Sequence, residues 1–278
     1  MNAVVLNTAS GDRRFLLHGA DQSGPPLPLV VMLHGTGGSA EFAADETRWP
    51  AFADAHRLLV AFPDGLPVDP SRPPSFLSNP KRWNDGSTQP DEPDDVAYLS
   101  QVIRHAVQHA HADPARVYLT GFSNGAAMCF RFAAERPTEL AAVAPLAGYC
   151  HVSPASVIPP VPTLYIVGDQ DLLIPLNGGS VRVPWGNRVV ERPTVDASLA
   201  KWAVALGCSP TPQVVSDVDG VRAERFAGPV EFARLTVSGL GHHWPGGQAM
   251  FNPRIAGPPS DRLNGCERVW AFFRSHRR

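Results

Sequence analysis

Ser123 lies in the pentapeptide Gly121-Phe122-Ser123-Asn124-Gly125, a G-x-S-x-G pattern. A serine hydroxyl is a weak nucleophile until a base takes its proton, and that base needs a third group to orient it. The chain supplies candidates for both downstream, in the order serine, acid, histidine. The acid comes from Val167-Gly168-Asp169-Gln170-Asp171, where an apolar run ends in a Gly/Asp turn. Asp169 suits the turn itself, through a side-chain hydrogen bond to the backbone two residues on. Asp171, one step further into the loop, is favoured as the catalytic acid. The base comes from Gly239-Leu240-Gly241-His242-His243-Trp244. Neighbouring side chains point apart, so only one of the two histidines can face Ser123, and His242 is chosen. No Cys, His or Asp stands at zinc-ligand spacing beside the pair, so neither a metal nor another cofactor is expected.

Acyl transfer also needs donors for the oxyanion, one just after the nucleophile and one from the loop after an early strand. Asn124 supplies the first N–H. Thr36, in the H-G-x-G-G stretch His34-Gly35-Thr36-Gly37-Gly38, supplies the second. The same glycines could cradle a phosphate, but the Walker pattern requires a lysine that is missing here.

The elements around these residues fit that chemistry. Arg116–Thr120 reads as a buried strand and Ala126–Glu135 as a helix, so Ser123 falls on a sharp strand-to-helix turn. Leu29–Leu33 leads into the glycine loop, Thr163–Val167 into the acid and Phe232–Val237 toward the histidines. Further strands are expected at Ala3–Leu6, Arg14–His18, Leu58–Phe62, Leu140–Pro145 and Val221–Phe226. Helices are expected near Arg48–Ala55, from Asp94 and Asp95 onward, at Thr194–Leu206 and near Asp261–Arg274. Residues 63–93 hold eight prolines, too many for a helix or a central strand. Asp217-Val218-Asp219-Gly220 reads as a hairpin turn rather than a fragment of a calcium loop. Alternating strand and helix implies a doubly wound, mostly parallel sheet with helices on both faces. Trp83, Trp185 and Trp244 sit on loops that could line a cleft, with Trp244 the favoured pocket residue.

His34-Gly35-Thr36-Gly37-Gly38, Trp83-Asn84-Asp85-Gly86, Asp94-Asp95-Val96, Gly121-Phe122-Ser123-Asn124-Gly125-Ala126 and Gly241-His242-His243-Trp244-Pro245-Gly246 follow one another as in a known family. From about residue 11 to 276 the chain resembles the polyhydroxybutyrate-depolymerase-like esterases, which group with feruloyl and acetylxylan esterases. The resemblance implies an α/β-hydrolase fold without a lid domain, His242 as base and Asp171 as acid. It also implies a small ester as partner; His34, Trp83 and Trp244 are the residues expected near the substrate. The chain departs from the family at Val167, where histidine is common, at Leu176, where tyrosine is common, and at His243, where threonine is usual. These positions bear on substrate class.

The 278 residues, 44% of them hydrophobic, fit one catalytic domain over 1–278. A net charge of −2 implies neither nucleic acid nor an anionic membrane as partner. No apolar run is long enough to span a bilayer, and Met1–Ala20 lacks the pattern of a signal peptide, so a cytoplasmic location is the default expectation. Cys129, Cys150, Cys208 and Cys266 allow up to two disulfides or four buried thiols. An amidase or peptidase of the same fold is the nearest rival reading. A non-catalytic binding protein would be marked by loss of serine, acid or histidine, and all are present. Oligomeric state and the acyl group are not encoded in any motif.

Overall fold

The structure is a computed structural model describing residues 1–19, 24–87 and 93–278. The expected irregular segment 63–93 therefore falls partly outside the described residues, at 88–92. Two antiparallel strands, β1 (Asn2–Thr8) and β2 (Gly11–Gly19), open the chain. β3 (Leu27–Leu33) is buried at every position, as a strand covered on both faces must be. α1 (Ala40–Thr47) and α2 (Trp49–His56) then lead into β4 (Leu59–Pro63). The helix expected near Arg48–Ala55 is α2, and α1 before it was not expected. Arg48 takes a left-handed conformation (φ 61°), which no helix can propagate through, and Pro50 suits the first turn of the second helix.

A short ribbon of β5 (Leu66–Pro67) and β6 (Lys81–Arg82) precedes α3 (Asp95–His109), whose N-cap Asp94 accepts the Ala97 N–H at 2.9 Å. β7 (Ala112–Phe122), α4 (Asn124–Glu135), β8 (Ala142–Leu146) and β9 (Thr163–Gly168) follow. An antiparallel hairpin of β10 (Gly179–Val183) and β11 (Arg188–Arg192), absent from the sequence expectations, comes next. Then come α5 (Val195–Ala205), β12 (Gln213–Val218), β13 (Val221–Arg225), β14 (Phe232–Val237), α6 (Pro253–Ala256) and α7 (Gly265–Phe273). Asp219 and Gly220, both at positive φ, form the two-residue turn between β12 and β13.

The main sheet has ten strands in the order β1-β2-β4-β3-β7-β8-β9-β14-β13-β12. Its central run, β4 through β14, is parallel, and antiparallel strands flank it on both sides. Successive residues of the central strands feed different cores. Leu29, Val31 and Leu33 of β3 pack with Leu99 of α3, Phe130 of α4 and Trp202 of α5. Val30 and Met32 pack with Ala44 of α1, Trp49 of α2 and Phe273 of α7. This is the doubly wound arrangement read from the sequence. All four cysteines are buried and free.

Candidate active site

In a parallel sheet the loops after the strands' C-terminal ends converge, and ligands bind there. β7 passes directly into α4 through Ser123, held at φ 58°, ψ −118°. This conformation is rare for a residue with a Cβ and marks a strained turn. The surroundings leave it no relaxation. The Ser123 N–H donates to the Leu146 carbonyl at 2.9 Å, and the Ser123 carbonyl accepts the Ala127 N–H at 3.1 Å. A Cβ at Gly125 would sit 2.5 Å from the Leu33 carbonyl oxygen, so only glycine lets α4 approach β3 this closely.

The acid and the base meet across the β9 and β14 loops. The Nδ1–H of His242 donates to Asp171 Oδ2 at 2.8 Å. Asp171 Oδ1 accepts the N–H groups of Leu173 and Ile174, each at 2.8 Å. The carboxylate is thus held in one orientation, and the neutral imidazole is left with its lone pair on Nε2. Ser123 and His242 line one narrow slot of about 20 Å³, together with Phe122, Phe251, Ile255 and Ala256. The Phe122 ring backs the imidazole at a centroid distance of 4.6 Å. An imidazole in this tautomer beside a half-exposed hydroxyl can take its proton and later return it.

The neighbouring candidates have other partners. Asp169 Oδ1 accepts the Gly239 N–H at 2.7 Å, tying the acid loop to the histidine loop. His243 is buried, and its Nε2–H donates to the Gly257 carbonyl at 2.9 Å. Burial lowers its pKa, and it lines neither opening beside Ser123.

Thr36 lines both openings that contain Ser123. Gly37 N–H is committed to the Lys81 carbonyl and Gly38 N–H to the Gly35 carbonyl, whereas Thr36 N–H has no acceptor among the described residues. Asn124 is the first residue of α4, where the N–H has no partner within the helix. Its side chain clamps the loop opposite. Asn124 Oδ1 accepts the Trp83 N–H at 2.7 Å, and Nδ2 donates to the Trp83 carbonyl at 3.1 Å and to Asp85 Oδ2 at 2.6 Å.

The expected substrate-side residues are distributed differently. Trp83 is 1% exposed but touches the wall of a cleft of about 810 Å³ that opens beside Ser123. Its indole N–H donates to the His34 carbonyl at 2.9 Å. His34 departs from the expectation. It is 1% exposed and lies behind the glycine loop rather than in the cleft. Its Nε2 accepts the Gly65 N–H at 2.9 Å, so its Nδ1–H donates to the Gly35 carbonyl at 2.7 Å. Burial pulls its pKa down to about 4, which keeps this tautomer neutral. Trp244 departs further. It is buried against the start of α7, where a Cβ at Gly265 would meet its indole nitrogen, and it lines neither opening. A large apolar ring beside a turn finds more contact inside the body than at its surface. Trp185 is the tryptophan of the cleft proper. It is half-buried, lines both openings, and donates its indole N–H to the Phe76 carbonyl at 2.9 Å.

The sequence expectations missed the β10–β11 hairpin, which forms one side of the cleft with Val183, Arg188, Val190 and Arg192. The alternation in Ser180-Val181-Arg182-Val183, followed by Pro184 and Gly186 and then by the paired valines of Arg188–Arg192, was the available signal.

A family model described as "Esterase PHB depolymerase" matches residues 15–165. The chain is 31% identical over 285 residues to NocK of Nocardia uniformis subsp. tsuyamanensis, which carries an esterase designation. That alignment covers 95% of this chain and 80% of NocK. It is 29% identical over 230 residues to feruloyl esterase B of Piromyces equi, covering 77% of this chain and only 39% of that longer protein. Among solved structures, the acetyl xylan esterase from Aspergillus awamori superposes with a TM-score of 0.61 at 13% identity. It covers 87% of this chain and 94% of its own.

Proposed function

We propose that this chain, which belongs to the esterase PHB depolymerase family and is a serine esterase of the α/β-hydrolase fold, works through Ser123, His242 and Asp171. The observation that carries this reading is the Asp171–His242 hydrogen bond of 2.8 Å, with His242 and Ser123 in one slot. Ser123 Oγ attacks the ester carbonyl while His242 Nε2 accepts its proton. Asp171 holds the imidazole in the required tautomer and stabilises the imidazolium. The Thr36 and Asn124 N–H groups receive the oxyanion. His242 then protonates the leaving alcohol, and a water activated by the same imidazole releases the acid. Residues 1–278 act as one catalytic domain.

The substrates are small soluble esters: hydroxycinnamoyl, acetyl or short hydroxyalkanoate. The cleft favours them because its lining includes Trp185, Val68 and Leu77, apolar side chains suited to a flat or short acyl group. The relative designated feruloyl esterase supports the first class. Rates on methyl ferulate, a short acetate ester and hydroxybutyrate oligomers rank these classes. Ser123→Ala is expected to lower kcat by roughly six orders of magnitude on the best of them, as for the serine of other Ser-His-Asp enzymes. An alanine variant that keeps wild-type turnover contradicts the reading.

A further inference from the structure

The cleft beside Ser123 carries more positive charge than its reaction requires. Arg188, Val190 and Arg192 lie on one face of β11 and line the cleft. Glu191 belongs to the other face, where it accepts the Ser180 hydroxyl. Among the described residues neither Arg188 nor Arg192 has a carboxylate partner. The Arg192 guanidinium lies 5.6 Å above the Tyr149 ring, and its Nε is buried without an acceptor. Burial is the main influence and opposes the charge on Arg192; Tyr149 and the more distant Asp85 carboxylate favour it, and the neighbouring Arg188 charge opposes it.

Among the described residues the acidic group lining the cleft is Asp85, and it already has hydrogen-bond donors. It accepts Asn124 Nδ2 at 2.6 Å, Ser87 N–H at 3.0 Å and Ser87 Oγ–H at 2.6 Å. His151 lies 4.0 Å from it, and burial lowers the pKa of that imidazole. A half-buried guanidinium with an unpaired Nε and no carboxylate in direct contact among the described residues, beside a second guanidinium, suits an anionic ligand, because its planar fork matches a carboxylate.

The direction of the substrate follows from the imidazole. Nδ1 of His242 is bound to Asp171, so the leaving oxygen must approach Nε2, on the side of the narrow slot. About 20 Å³ there holds little more than one water-sized group. That geometry suits a small alcohol leaving through the slot and an acyl chain lying in the cleft of about 810 Å³.

We propose that the cleft selects esters whose acyl portion ends in a carboxylate, seated on Arg192 with Arg188 as the second cation. This rests on the reading of Ser123 as nucleophile, and the test separates the two. The substrates are the monomethyl and dimethyl esters of succinate, glutarate, adipate and suberate, matched in length and differing in terminal charge. In the wild type, kcat/KM for the charged ester is expected to exceed that for its neutral partner by about tenfold at the best length, as one charge-assisted contact allows. Arg192→Met is expected to bring this ratio toward one. Arg192→Lys is expected to keep part of it, since lysine supplies the charge without the fork.

Hydrolysis of the neutral esters with no charge preference at any length overturns the inference and leaves the esterase reading standing. A preference found only with 6-acetoxyhexanoate over hexyl acetate, where the charge sits on the alcohol, overturns the acyl-side assignment. A second measurement needs no turnover. Calorimetric binding of the same ester pairs to Ser123→Ala is expected to favour the charged member about tenfold, and to lose that preference in Ser123→Ala/Arg192→Met. Selective binding without any wild-type hydrolysis supports the anion seat and refutes the nucleophile reading. Equal binding of both members refutes the seat.

Discussion

Asp171 divides its two oxygens between a job in the loop and a job at the base. Oδ1 is held by two backbone N–H groups, and Oδ2 accepts from His242. Asp171→Asn keeps the size but offers an amide that favours the wrong imidazole tautomer, so kcat is expected to fall by about four orders of magnitude. Asp169→Asn retains the oxygen that accepts the Gly239 N–H, so its kcat is expected to stay within about threefold of wild type. Steady-state kinetics on both variants check the pair, and the reverse ranking contradicts it. His34 gives a pH test. Its pKa is lowered to about 4 from the ordinary 6.5, so the unfolded chain binds the proton first as pH falls. Stability linked to His34 is therefore complete above about pH 6.5 and is lost as pH drops toward 4. Between pH 7 and 4.5 the loss is on the order of 2 kcal/mol. In His34→Gln the acid-side fall in unfolding free energy, read by denaturant titration at the two pH values, is expected to be smaller by about that amount. An identical fall in both proteins contradicts the role of His34 as a neutral pin. The meeting of Ser123, Asp171 and His242 at one edge of the sheet was legible, because spacing and chain order constrain it. The placement of His34 and Trp244 was not, since a histidine or tryptophan beside a glycine loop can turn inward or outward, and tertiary packing decides.

Secondary elements were legible where one signal dominated. β3 and β9 are continuous apolar runs, and α3 carries its cap and its apolar stripe in view. α1 was hidden, because its end depends on Arg48 entering a left-handed conformation that its residue type does not favour. The β10–β11 hairpin was hidden for another reason. Its pairing lies outside the main sheet, alternation is confined to the short β10, and β11 is rich in charge. At this scale the elbow makes its own prediction. In Gly125→Ala the new methyl would lie 2.5 Å from the Leu33 carbonyl and 2.6 Å from the His34 carbonyl, neither of which can swing aside. α4 must shift from β3 and carry Ser123 away from Thr36. Stability is expected to fall by about 1–3 kcal/mol. kcat is expected to fall by roughly a hundredfold or more, since small displacements at the reacting atoms are that costly. Thermal unfolding and kinetics on the folded variant measure the two effects. Wild-type values in both contradict the close approach.

The whole molecule is arranged to bring distant chain segments to one edge of the sheet. The glycine loop follows β3, the serine follows β7, the acid follows β9 and the histidine follows β14. These strands are neighbours or near neighbours in the parallel run. Chain order alone makes this topology readable, because right-handed crossovers permit few ways to wind such a sheet. Cleft shape was not readable, since it depends on how the Pro-rich segment and the β10–β11 hairpin fold back over the sheet edge. The central claim is that this convergence makes Ser123 a nucleophile activated by His242. Reaction with a fluorophosphonate, followed by peptide mapping of the adduct, tests it most directly. The account predicts a single phosphonylated residue, Ser123, with labelling slowed by orders of magnitude in His242→Ala and absent in Ser123→Ala. Label on another residue, or labelling of Ser123 at the wild-type rate in His242→Ala, would contradict it.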